Sequence, residues 1–249
     1  MNESRSHFAS QAASANENIR MAAEWCLSSF PNAPRDVVLR AGSEVDCATL
    51  LQMEANAFPL FDRPVGARRL LPYQCATGTL QSFGYLVKVV ACTPRGTGAY
   101  MIAQVRNWSE LHICEVVARP LHAEQRIRSA GALLLGVVAR LGQQLRIEVM
   151  TAQVRTLDRN EPIPGYRSAR IIAHDARHGL LPSPEQGILA DGRLSNDEDV
   201  WLKGRPENIL RILLRKFGGP ALEACSDVDA VQLIGRSSDT HHARNVKGC

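Results

Sequence analysis

The sequence has no C-x-x-C pair; its seven cysteines, at positions 26, 47, 75, 92, 114, 225 and 249, are scattered. A zinc ribbon and a dithiol redox motif are thereby excluded, since both need two sulfurs brought together by local spacing. No apolar run approaches the roughly 18 residues that cross a bilayer as a helix. No basic start leads into an apolar stretch, so the pattern of a secretory signal is missing as well. Reduced thiols, a cytoplasmic location and no membrane partner are the expectation. Lysine is scarce. Only Lys88, Lys203, Lys216 and Lys247 occur, so 29 − 4 = 25 of the basic residues are arginine. Arginine's planar fork suits phosphate recognition, but the arginines form no dense run and the net charge is only +4. No nucleic-acid partner is expected from that distribution. No internal repeat is visible.

What is present suffices for a globular core. The 249 residues are 45% hydrophobic and 22% charged, ordinary proportions for a folded domain. They divide into three parts. Residues 1–34, rich in Ser, Ala and Asn, read as an extension that is partly disordered, with one amphipathic piece from Ile19 to Phe30 ended by Pro31 and Pro34. Residues 35–205 carry the domain. Residues 206–249 start with an amphipathic helix over 207–217, with Ile209, Leu210, Leu213 and Leu214 on one side, and end in a polar tail expected to be flexible. That helix serves either as core cover or as a homodimer contact.

Within the domain the period of the hydrophobic pattern changes repeatedly. Short β-branched runs predict strands over 36–40, 85–92, 98–106, 111–118, 145–154 and 200–203. The turn Thr93-Pro94-Arg95-Gly96-Thr97 joins two of them as a hairpin. Ser43-Glu44-Val45-Asp46 opens a helix with acidic residues in its first turn and Pro59 stops it. A second helical piece is expected over 64–71. Ser129 to Leu141 is apolar throughout and of helical length, hence a buried helix, with Gly142 as its end. A further helix is expected over 166–177. A strand–helix–strand unit over 111–154 requires parallel pairing by a right-handed crossover. The sum is an α/β chain with a mixed sheet.

The segment after the strand at 111–118 carries the chemistry. Pro120 closes the strand, and Arg126-Ile127-Arg128-Ser129-Ala130-Gly131-Ala132 opens the buried helix. A helix start has unpaired N–H groups and a positive dipole end, and small residues there let an anion approach the backbone. This stretch resembles the acyl-CoA-binding motif of the GNAT N-acyltransferases, Q/R-x-x-G-x-G/A followed by leucines, with Arg126, Ser129 and Gly131 at the marked positions. Ile147-Glu148-Val149-Met150 is similar to the family's L-E-V-R strand. The order of elements over roughly 36–205 is similar to that of a bacterial subgroup, distantly like the ribosomal-protein N-terminal acetyltransferases. The sequence departs from the family at Ile127 and Ser129, which replace glycines, and at the extra residues His122-Ala123-Glu124. Gln153 stands for an asparagine, and Asp175 stands where the family's general-acid tyrosine would fall.

The resemblance implies a mixed, mostly antiparallel sheet with a parallel strand pair at the acyl-CoA site and helices on both faces. It implies acetyl-CoA as co-substrate, held by Val116, Val117 and Ala118 of the strand and by Arg126, Ile127, Arg128, Ser129, Ala130, Gly131 and Ala132 of the helix start. The activity implied is transfer of an acetyl or other acyl group to a primary amine of a protein, peptide or small molecule. Such an amine is mostly protonated at neutral pH, so a base is needed. Glu148 is the first candidate because it matches the L-E-V-R glutamate, and Glu115 is the second. Tyr166 is the candidate acid for the leaving thiolate, with His174 and His178 as replacements. An acyl-cysteine route through Cys114 lacks a base beside it in sequence. The alternative is a degenerate GNAT domain that binds acyl-CoA as a sensor or interaction module.

Overall fold

A computed structural model describes residues 2–57, 80–81, 84–106, 109–154, 168–183 and 200–220. The elements are α1 (Asn2–Ser29), β1 (Val38–Ala41), α2 (Cys47–Ala57), β2 (Leu80–Gln81), β3 (Gly84–Thr93), β4 (Gly96–Arg106), β5 (Glu110–Val117), α3 (Ala130–Gln144), β6 (Val149–Val154), α4 (Ser168–Ala176), β7 (Leu181–Pro182), β8 (Val200–Gly204) and α5 (Pro206–Phe217). The expected helix over 64–71 lies outside the described residues.

One sheet runs in the order β1-β3-β4-β5-β6-β8-β7, with the short β2 paired to β3. Every neighbouring pair is antiparallel except β5 and β6. That exception follows from the connection, since α3 carries the chain from one end of β5 back to the start of β6. The parallel register runs from Glu110↔Val149 to Ile113↔Ala152 and goes no further. Beyond it the C-terminal ends of the two strands part.

The sheet's two faces carry different cores. One face presents Val87, Val89, Ala99, Met101, Ala103, Leu111, Ile113, Met150, Ala152 and Leu202 to α1, α3 and α5. The other presents Leu86, Val90, Tyr100, Ile102 and Val117 to Leu50 and Met53 of α2. The apolar side of α5 (Ile209, Leu210, Leu213, Leu214, Phe217) is buried inside the chain. Core cover, rather than a contact with a second copy, is therefore the use to which this face is put.

Four local features refine the sequence reading. The piece from Ile19 to Phe30 belongs to a 28-residue helix, whose Ile19, Ala22, Ala23 and Cys26 are buried together with the following Phe30. Gly142 does not end α3; it sits in the last turn, where an added Cβ would meet Pro206 at 3.2 Å. The turn after Gln144 contains Arg146 at φ 56°, so β6 starts at Val149 rather than at 145. Cys47, at the start of α2, is disulfide-bonded, whereas Cys26, Cys92 and Cys114 are free. That bond departs from the expectation of reduced thiols, so cysteine usage no longer argues for the cytoplasm. Among the described residues no helix is long and apolar enough to cross a membrane.

The start of α2 is fixed as its sequence suggested. Asp46 accepts from the N–H and hydroxyl of Ser43 at 2.8 and 2.9 Å and from both terminal nitrogens of Arg40 at 2.8 and 2.7 Å. Burial by itself would raise the Asp46 pKa, but the Arg40 and Ser43 hydrogen bonds outweigh it and hold the carboxyl below its usual range.

Candidate functional site

β5 contains one residue more than its partner requires. Glu115 pairs with Ile102 and Ile113 with Ala103, so Cys114 is extra, a β-bulge. Side chains alternate along a strand, and an inserted residue resets the alternation. Below the bulge, Leu111 and Ile113 face α3. Above it, Val117 faces the α2 side and Glu115 shares that parity. Val116 turns toward α3, where a Cβ added at Gly131 would stand 3.9 Å from its Cγ1. The bulge also coincides with the end of β5–β6 pairing. One added residue thus separates the strands and aims Glu115 and Val116 at opposite faces.

The N-terminus of α3 opens over Val116. Ser129 is its N-cap residue and lies in the left-handed region at φ 58°, ψ 28°, with no side-chain capping hydrogen bond. The resemblance expects glycine here, and the backbone has the conformation that glycine adopts most readily. Among the described residues no backbone carbonyl takes the N–H groups of Arg128, Ser129 or Gly131. These open donors, the positive end of the helix and the exposed side chains of Arg126 and Arg128 converge on one patch.

The loop entering α3 is anchored rather than free. His122-Ala123-Glu124-Gln125 form a single 3-10 turn, and the Gln125 amide donates to the Arg95 carbonyl at 3.1 Å. Ile127 is buried in the core beside Gly98. A Cβ on Gly98 would stand 2.3 Å from the Gln125 carbonyl oxygen, so the hairpin needs glycine where this loop crosses it. The extra residues of the sequence are therefore a clamp on the β3–β4 hairpin. Ile127, Ala130 and Ala132 direct their side chains into the core. Only their backbone is available to a ligand.

Glu115 is nearly buried, and the Tyr100 hydroxyl donates to its Oε1. Lys88 of β3 lies on the same face, fully buried. Burial lowers the Lys88 pKa to about 8, while the Glu115 charge works in the opposite direction. Tyr100 and Lys88 were absent from the sequence-based candidates. A signal existed: Lys88 interrupts the run Tyr85–Cys92 at an inward position between Leu86 and Val90. Cys114 donates to the His112 carbonyl at 3.7 Å, and burial raises its thiol to about 11. It is protonated at neutral pH and no nucleophile.

Glu148 does not join this group. It is exposed and precedes β6, with its N–H donating to the Ser109 carbonyl at 3.0 Å. Glu115 lies six residues further along β5, roughly 20 Å away at the rise of a strand. The match to L-E-V-R therefore places Glu148 at the paired end of β5 and β6, away from the end where they part. Tyr166 lies outside the described residues. Asp175 and His174 contact one another at 3.1 Å on α4. His178 uses both ring nitrogens structurally. Its Nδ1 donates to the His174 carbonyl at 2.8 Å and its Nε2 accepts from Lys216 Nζ at 2.8 Å.

Further down β5, on the α2 side of the sheet, a cavity of about 470 Å³ is lined by Arg106, Glu110, Val149, Thr151, Ser183, Trp201 and Lys203. Thr151 donates to Glu110 at 2.5 Å and lies 2.9 Å from His112 Nδ1. Burial, and then Arg106, lower the His112 pKa to about 4, with Glu110 opposing. Among the described residues no group of three or more His, Cys, Asp or Glu could hold a metal ion.

A mixed, mostly antiparallel sheet with one parallel pair that parts at its C-terminal end, and helices on both faces, is the architecture that the resemblance implied. No protein-family model matches the chain, and no curated protein does. Among solved structures it is similar to an aminoglycoside 6'-N-acetyltransferase from Enterococcus faecium, at 11% identity and a TM-score of 0.46, over 68% of this chain and 97% of that one. It is also similar to the PaiA N-acetyltransferase of Thermoplasma acidophilum in complex with coenzyme A, at 7% identity and a TM-score of 0.45, over 68% of this chain and 98% of that one. At such identity neither carries anything about acceptor or activity.

Proposed function

We propose that the chain is an acyl-CoA-dependent N-acyltransferase with acetyl-CoA as co-substrate and Glu115 as its general base. The observation that carries this reading is the juxtaposition of an uncapped helix N-terminus, with Ser129 in the glycine conformation, and a strand that leaves its parallel partner at a bulge beside a buried carboxylate. These residues fit the co-substrate. The N–H groups of Ser129 and Gly131, with Arg126 and Arg128, provide donors for a pyrophosphate. Residues 116–118 provide backbone groups for a pantetheine arm, and the Val117 N–H is the donor proposed for an oxyanion.

When bound, acetyl-CoA supplies an acyl carbonyl activated as a thioester. Glu115 takes the proton that an incoming ammonium must lose. Tyr100 holds that carboxylate in place through its hydroxyl. Transfer forms the N–C bond of the amide and breaks the C–S bond, and the departing sulfur takes up a proton. Tyr166 remains the proposed source of that proton.

The test is calorimetric titration of the full chain with acetyl-CoA, followed by an amine panel with Glu115→Gln and Glu148→Gln as paired controls. Micromolar binding, and a rate that Glu115→Gln reduces by ~10²-fold or more while Glu148→Gln leaves it unchanged, are expected. Binding without turnover on any amine would instead favour a sensor. Absence of binding by the folded protein would remove both.

A further inference from the structure

Among the described residues Lys88 is the only lysine that is fully buried. It stands on β3 beneath α2, among Leu86, Val90 and Ile102. An ammonium in such a place costs several kcal/mol unless an opposite charge answers it. The sheet supplies one. Lys88 pairs with Ile102, and Ile102 pairs with Glu115, so the three form one row across β3, β4 and β5. Two strand spacings put the Lys88 and Glu115 backbones about 10 Å apart. A four-carbon stem from one side and a two-carbon stem from the other close most of that gap on a shared face. Tyr100, also on that face, donates to the same carboxylate.

We propose that Lys88 is a positioning residue for Glu115: its buried ammonium keeps that carboxyl ionised inside the sheet, while Tyr100 fixes its direction. The inference rests on the reading of Glu115 as base. A carboxyl taken out of water tends to pick up a proton and would then be useless as a base. Lys88 offsets that tendency by its charge, and Tyr100 by hydrogen bonding to the ionised form. The other described cations on this face serve other groups: Arg40 binds Asp46, Arg106 pairs with Glu110 at the opposite end of β5, and Lys203 lines the cavity there. Glu54 of α2 is a like charge. The thiol of Cys114 is protonated, and His112 is neutral above about pH 4. Cys92 brings no positive charge.

The experiment is a pH titration of full-length protein carrying 13C at its glutamate carboxyls, with the Glu115 resonance assigned by its loss in Glu115→Gln. In the unsubstituted chain Glu115 is expected to titrate in the acid range. Lys88→Met is expected to raise the midpoint by about one pH unit or more, and Lys88→Arg is expected to leave it near its original place. Should Lys88→Met fail to fold, Lys88→Gln, which is polar but uncharged, carries the same expectation, and Tyr100→Phe moves the midpoint in the same direction. A purely structural lysine would lower the melting temperature without moving the Glu115 midpoint, and that result overturns the proposal. If an amine is acylated, the acid limb of kcat/KM moves with the resonance. If none is, the carboxyl titration still decides the role of Lys88, and only the acyltransferase reading is lost.

Discussion

Phe30 stacks on Phe217, with ring centroids 4.9 Å apart and 22° between the ring planes. The first residue sits just past α1 and the second closes α5, so the described chain's two terminal helices meet in one aromatic pair. Trp25 packs edge-on against Phe30 at 6.1 Å, and the Arg140 guanidinium lies 4.7 Å over the Trp25 ring. Gly136 of α3 also meets Phe30, and a Cβ there would stand 2.8 Å from the ring. Gly136→Ala sets helix propensity, worth about 1 kcal/mol in favour, against an overlap that a ring backed by Phe217 cannot relieve. The overlap wins. A loss of about 1–3 kcal/mol in urea unfolding is expected, and about 3–5 kcal/mol for Phe30→Ala. A Gly136→Ala chain as stable as the original would show that α1 is seated loosely.

Gly131 behaves in the opposite way. Its added Cβ would be in ordinary contact with Val116, so the protein accommodates alanine. Gly131→Ala is expected to raise the melting temperature slightly, by ~0.5–1 kcal/mol of helix preference. At the same time it should weaken acetyl-CoA binding, because the extra carbon stands where phosphates need the backbone. Calorimetry with a thermal melt on the same sample checks both signs. Equal affinity in the two proteins would mean that the α3 N-terminus does not hold the phosphates.

Ser129→Gly tests the same patch from the other direction. A non-glycine residue in the left-handed region carries roughly 1–2 kcal/mol of strain, which glycine removes, at the cost of a more flexible unfolded chain. A small net gain in stability and tighter acetyl-CoA binding are expected. Ser129→Val, β-branched at φ 58°, should lose both.

Two buried histidines make stability depend on pH. The pKa values of His112 and His178 are held at about 4, below their ordinary 6.5. For both, burial is the leading cause, aided by Arg106 at His112 and by Lys216 and then His174 at His178; Glu110 opposes at the first, and the His174 carbonyl and Asp175 oppose at the second. A depressed histidine pKa means that the unfolded chain binds the proton more readily. The contribution is therefore complete above pH 6.5 and is lost as pH falls toward 4. Each site contributes on the order of 2–3 kcal/mol across that window. Urea midpoints measured at pH 7.5, 6 and 5 should fall in that order, and His178→Gln should flatten the slope. A midpoint that is constant from pH 7.5 to 5 would contradict both placements.

The fold was largely legible because period and length spoke with one voice. The strands at 85–92, 98–106 and 111–118, the buried helix from about 129 and the amphipathic helix at 207–217 all appear within a few residues of their expected places. Where the reading slipped, a backbone torsion or a long-range contact decided. Arg146 at φ 56° ends what looked like a strand beginning at 145, and Gly142 answers to Pro206 rather than to a helix end. Short-range pattern carries neither fact. The proposed phosphate-binding patch around Ser129 and Gly131 was legible because its chemistry is local to one turn. The surroundings of the proposed base were not. The sequence offered Glu115 only as second to Glu148, and Tyr100 and Lys88 join it only through cross-strand register. Lys88 alone left a trace, as a charge in an apolar run.

The bulge at Cys114 gives β5 a property of a different kind. The chain measures its functional face by counting. Delete one residue between 111 and 114, and composition, hydropathy and strand length hardly change, yet every side chain above the deletion exchanges sides. Glu115 would be driven into the packing beneath α3, and Val116 would be handed to α2. An alignment that slides a gap by one place across this strand would equate the proposed base, Glu115, with Val116 of the opposite face. Relatives of this chain should therefore be compared by the parity of β5 before they are compared by its letters.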